Sequence, residues 1–136
     1  MVDEAIRSVG LRVTRQRRAI YRVLADSDDH PDANEVHRRT QVFDPKVSLA
    51  TTYRTLAELA DKGVVEKLTL EGAPSRFETN DTPHHDHIVD LDSGEVVEFV
   101  SAEIEKLQRE VARAHGYEIV SHKLQLYCRK RPEKSD

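Results

Sequence analysis

One cysteine, Cys128, stands in the whole chain of 136 residues. A single thiol excludes an internal disulfide and a cysteine-rich zinc cage within one chain, so a metal bound here must draw its ligands from His, Asp and Glu. No apolar run is long enough to span a bilayer, and the sequence has no internal repeat or low-complexity tract. The opening VDEAIRSVG is acidic, basic and apolar by turns, unlike a signal peptide. A cytoplasmic protein without a membrane partner is expected. HExxH, nucleophile-elbow and phosphate-loop motifs are missing too, which counts against a metalloenzyme.

What is present is ordinary in bulk and uneven in detail. Charged residues make up 34% and hydrophobic residues 38% of the chain, a length and balance that suit one domain or two small ones with a modest core. The net charge of −4 argues against indiscriminate nucleic-acid binding. Yet Arg7, Arg12, Arg15, Arg17, Arg18 and Arg22 fall between residues 7 and 22 with no acid among them. That is a basic patch on an acidic protein, whose bland alternative is a solvated helix face.

The first half predicts three helices closed by a hairpin. Thr14 caps TRQRRAIYRVLADS, where Ala19, Ile20, Val23 and Leu24 recur at helical spacing. Asp32 followed by Glu35 gives a capping-box pattern before a second helix, and a third runs from Ser48 to a stop at Gly63. VVEKLTL and SRFETN, parted by EGAP, predict a two-stranded hairpin. This is the order of a winged helix-turn-helix, whose second helix enters the DNA major groove.

On a helical wheel SLATTYRTLAELADKG puts Leu49, Thr52, Leu56, Leu59 and Ala60 on one face, with Arg54 nearly opposite. Tyr53 sits on the flank, and Ala50 and Thr51 are small and exposed in the first turn. Small residues let a helix enter a groove, Arg can donate two bonds to guanine, and an aromatic can pack on a thymine methyl. Such a helix also occurs in proteins that bind no DNA. The basic patch and the hairpin wing beside it favour the DNA reading.

After Asn80 strands replace helices, and DTPH reads as a hinge. HIVDLDSGEVVEF predicts two strands around DSGE, with Ile88, Val96, Val97 and Phe99 as core candidates. SAEIEKLQREVARAHG predicts a helix with an apolar stripe of Ile104, Leu107, Val111 and Ala114. YEIVSHKLQLYCR predicts a last strand, and RPEKSD a frayed tail. So small an α/β unit leaves apolar surface and a sheet edge open, which a second copy of the chain would cover.

Three histidines and an aspartate occupy residues 84 to 87, HHDH. If residues 85 to 91 form a strand, His85 and His87 point to one side and His84 and Asp86 to the other. One stretch can then seed two metal sites. Imidazole and carboxylate suit iron(II), manganese(II), zinc and their neighbours. A solvated polar loop is the alternative. His37 and His115 read as a surface residue and a helix C-terminal residue.

The combination of GLRVTRQR, ATTYRTLAELADKG and HHDHIVDLDSGEVVEF, in that order across nearly all of residues 5 to 128, resembles the ferric uptake regulator family of metal-dependent repressors. The resemblance implies an α+β dimer: an N-terminal winged-helix DNA-binding domain (1–80), a hinge (81–84) and a C-terminal α/β dimerisation and metal-binding domain (85–136). It implies an interdomain regulatory site of His30, Glu78, His85 or His87 or both, and Glu98. A second site in the dimerisation domain would take His84, Asp86, Glu105 and His122. As single residues, Glu78, Glu98 and Glu105 could be ordinary surface carboxylates, and His122 a packed strand histidine. DNA contacts fall to Arg12, near the minor groove, and to Arg15, Arg17, Thr51, Tyr53 and Arg54. Many members carry paired cysteines for a structural zinc, the first pair lying where this chain has Asp90 and Ser93, so no cysteine-ligated zinc is expected.

The sequence thus predicts a homodimeric repressor that binds a palindromic operator in double-stranded DNA when loaded with metal, at two sites per chain. Iron(II) or manganese(II) is the expected ion, with zinc(II) possible. A zinc- or peroxide-responsive regulator of the same family is the nearer alternative; a metal-independent winged-helix regulator or a metalloenzyme is the remoter one.

Overall fold

A computed structural model describes residues 2–80 and 83–132 and divides into two compact units, Met1–Pro83 and His84–Asp136. Asp81 and Thr82 of the predicted hinge, and residues 133–136 of the predicted tail, lie outside the described residues. No helix among the described residues is long and apolar enough to cross a membrane.

The first unit has four helices where the sequence predicts three. The additional one, α1 (Val2–Arg7), is too short to persist alone; its Ile6 is fully buried, and Asp3 takes two bonds from Arg18. The predicted caps then appear in turn. Thr14 accepts from the Arg17 amide at the start of α2 (Arg15–Ala25), Asp32 from Glu35 at α3 (Ala33–Phe43), and Ser48 from Thr51 at α4 (Leu49–Asp61). Each satisfies an amide that has no partner within its helix. The reciprocal half of the capping box is not used, because Arg38 and Arg39 take the Glu35 carboxylate.

Helix α4 ends as Gly63 predicts. Gly63 has φ +78°, its amide bonds to Ala60 and the Val64 amide to Leu59, the pairing that closes a helix through a left-handed residue. The chain turns into β1 (Val65–Leu68), antiparallel to β2 (Arg76–Thr79), with Glu66 opposite Glu78. Ile20, Leu24, Val36, Leu56, Leu59 and Phe77 join helices and hairpin in one core. The α4 wheel needs one correction: Thr55 is buried, while Leu49, in the first turn, is 40% exposed.

In the second unit β3 (Asp86–Asp90) is the central strand. It lies antiparallel to β4 (Val96–Phe99) and parallel to β5 (Gln125–Cys128), which follows α5 (Ala102–Ala114). The predicted strand over 85–91 is shorter at both ends, and the last strand begins at Gln125, not at Tyr117. At the hairpin corner Asp90 accepts amides from Asp92 and Ser93, which holds its carboxyl below the ordinary range.

The predicted core of this unit is mostly open. Val89 is buried, but Val97 is exposed, and α5 buries no residue: Leu107 is 60% and Val111 54% exposed. The apolar stripe exists; Ile104 is half-buried, and among the described residues nothing buries Leu107 or Val111.

Candidate metal centres and nucleic-acid surface

The alternation predicted for HHDH is seen on β3. Asp86 is 1% exposed, and its Oδ1 lies 3.2 Å from His84 Nε2 and 3.3 Å from His122 Nε2. The two Nε2 atoms are 3.1 Å apart. Among the described residues neither Asp86 oxygen finds a hydrogen-bond partner. A buried carboxylate so placed is costly unless a cation neutralises it, and two imidazole nitrogens converging on it complete a donor set that a divalent ion would accept. The residues present therefore fit a metal. His122 comes from the segment before β5 and is not a strand residue as predicted. Glu105, in the first turn of α5, lines the same cleft of about 660 Å³ as His84 and His122. It is outside the group whose ligand atoms lie within 4.8 Å of one another.

The other face of β3 carries His87, directly opposite Glu98 of β4, and cross-strand partners project to the same side. His85, one residue before the strand, joins them: its Nε2 is 3.5 Å from Glu98 Oε2, and its ring centroid 4.8 Å from that of His87. This trio is built wholly in the second unit.

The first unit holds a pair of the same type. His30, buried between α2 and α3, places Nε2 3.0 Å from Glu78 Oε2. Its backbone is fastened along β2: Arg76 donates to the His30 carbonyl, and the Phe77 amide to the Pro31 carbonyl at 3.0 Å. Arg76 and Glu78 are two apart and share a face, so the strand that holds the His30 loop also presents its carboxylate. From the far side Arg39 grips the loop through Ser27 Oγ and both Asp29 oxygens.

The nucleic-acid candidates differ in how far they are exposed and engaged. Arg54 is exposed, donating to Thr51 Oγ1 at 3.2 Å, and Thr51 is itself held by the Ser48 cap. Tyr53 is 49% exposed, its hydroxyl 3.4 Å from Asn34 Oδ1. Arg12 is exposed. Arg15 pairs with buried Asp44 at 2.8 Å yet stays largely in solvent. Arg17 differs: its Nε and Nη2 each lie 2.8 Å from Glu58 Oε1, and Nη1 donates to the Arg12 carbonyl at 2.8 Å. Its side chain is 20% exposed and tied to Glu58 and to the Arg12 carbonyl, where the sequence reads it as a DNA contact.

The ferric uptake regulator family model matches residues 8–127. The chain belongs to the ferric uptake regulator family. A ferric uptake regulation protein of Brucella abortus (strain 9-941) is 50% identical over 128 residues, covering 94% of this chain and 91% of the relative. The solved ferric uptake regulator of Pseudomonas aeruginosa with manganese superposes with a TM-score of 0.86 at 38% identity, covering 97% and 99% of the two chains. A zinc-bound manganese uptake regulator gives 0.73 at 44% identity, over 96% and 98%. Family membership makes the chain a metal-responsive transcriptional regulator, and its α+β fold a winged-helix domain followed by a dimerisation domain.

Two contacts of this ferric uptake regulator family chain escape its sequence. Glu58, which holds Arg17, is an unremarkable helix acid with no periodic signal. His37 is no plain surface residue, since its Nε2 lies 3.0 Å from the Val47 carbonyl and ties α3 to the segment leading into α4.

Proposed function

We propose that the chain is a homodimeric, metal-dependent repressor of iron or manganese homeostasis genes, in which residues 1–80 bind DNA, residues 81–84 form the hinge and residues 85–136 dimerise and hold metal. The observation that carries this reading is the division of HHDH between the two faces of β3, each face supplied with its own carboxylate. His30 and Glu78 offer two ligands, and His85, His87 and Glu98 three. Each set alone is short of a closed coordination sphere, and together they suit one regulatory ion shared by the two domains. His84, Asp86 and His122, with Glu105 from α5, hold the second ion within one domain. Both are bound by nitrogen and oxygen alone, as iron(II), manganese(II) or zinc(II) accepts.

Loading favours the DNA-binding arrangement to the extent that the shared site is more complete there, since differential affinity alone moves such an equilibrium. The recognition helix α4 presents Thr51, Tyr53 and Arg54 to base edges, and Arg12 and Arg15 lie on the DNA backbone and minor groove. A second copy covers Leu107 and Val111, and two-fold symmetry matches a palindromic operator. The sites serve switching and not catalysis, and the protein works in the cytoplasm beside its operators.

The test is a gel-shift titration with chelator and with each candidate ion. Stripping metal should weaken operator binding roughly 5–150-fold, the usual range of a coupling between sites. Equal affinity with and without metal would favour the metal-independent winged-helix reading.

A further inference from the structure

Arg17 is exposed to only 20%, and three of its nitrogens are engaged inside the first unit. Nε and Nη2 are bound to Glu58 in the last part of α4, and Nη1 to the carbonyl of Arg12. Residues 11–14 belong to no helix or strand, so the Arg12 backbone has no ladder of its own to fix it. Arg54 lies one turn before Glu58 on the same side of α4. A single guanidinium therefore connects the segment that carries Arg12 to the helix that carries Arg54.

We propose that Arg17 is a positioning residue for DNA recognition: with Glu58 as its anchor, it sets the spacing between Arg12 and the recognition helix. The inference rests on the DNA-binding reading given above and goes beyond it. A planar guanidinium can hold two partners at fixed angles, which a lysine ammonium cannot reproduce. Ordering the Arg12 segment before DNA arrives removes that ordering cost from the binding step. Because the Glu58 carboxylate already compensates the charge of Arg17, a phosphate would have to compete with it. The two roles make opposite demands on Glu58.

The experiment uses the full-length, metal-loaded protein and a duplex selected by the wild type from a random library, with affinity measured at several salt concentrations. Arg12→Ala should weaken binding roughly 5–100-fold and lower the salt slope by about one. Glu58→Gln and Arg17→Lys should weaken it in the same direction, and Arg17→Ala should add less than about twofold in the Arg12→Ala background, because coupled residues are not additive. Thermal melts of each variant check that the unit is folded; a merely structural role would lower affinity equally in both backgrounds. Tighter binding by Glu58→Gln, or a further unit of salt slope lost on adding Arg17→Ala to Arg12→Ala, would overturn the inference and make Arg17 a phosphate contact. Arg54→Ala reports separately on the recognition helix. If the selected duplex is bound no better than a scrambled one, the DNA reading fails and this inference with it.

Discussion

Asp86 concentrates the chemistry of the second unit in one side chain. Its carboxylate is buried, and the groups within reach are two imidazole nitrogens, a set that one cation shared by all three would neutralise. Removing metal should therefore lower the melting temperature of the wild type, since an ion at a hundred times its dissociation constant stabilises by about 2.7 kcal/mol. Asp86→Asn should shrink that metal-dependent difference and retain part of the operator binding. His87→Ala, on the opposite face, should abolish metal-activated operator binding yet leave a folded dimer. Stoichiometry, melting temperature and operator affinity measured on both variants decide the matter; matching losses in all three would mean that HHDH serves a single site. The split of HHDH was legible because strand alternation is a local rule with a fixed period. The inward turn of Arg17 was not, because its partner Glu58 is 41 residues away and nothing near Arg17 announces it.

At the level of elements, the caps were legible and the lengths less so. Thr14, Asp32, Ser48 and Gly63 act through bonds to residues a few positions away, which a sequence displays directly. Helix α1 depends on burying Ile6 and on Arg18, and the late start of β5 on pairing with β3; both are tertiary facts. The start of α3 also carries a pH dependence. Arg38 and Arg39 hold the Glu35 carboxyl down to about 2 from an ordinary 4.5. A carboxyl lowered in the folded state contributes stability that is present above the ordinary value and lost as pH falls through the folded one. In metal-free protein Arg39→Ala should cost on the order of 1 kcal/mol at neutral pH. The difference from wild type should narrow between about pH 4.5 and 2, read from urea midpoints. A difference constant over that window would assign the effect of Arg39 to packing alone.

For the whole molecule, the main lesson lies in the second unit. Leu107, Val111 and Val97 read as core from their periodicity, and one chain leaves them exposed. Periodicity tells that an apolar face will be covered, and not by which chain. Leu107→Glu or Val111→Glu should weaken the dimer roughly tenfold or more if these side chains sit centrally in the interface, measured by sedimentation equilibrium; an unchanged association constant would place the interface elsewhere. The corner between β3 and β4 bears on the assembly in another way. Where many relatives of this family are expected to carry cysteine, Asp90 closes the turn with two main-chain amides. A corner closed by main-chain amides takes its shape from the chain itself as it folds, and the thiol nearest to it, Cys128, faces Asp90 from the neighbouring strand β5.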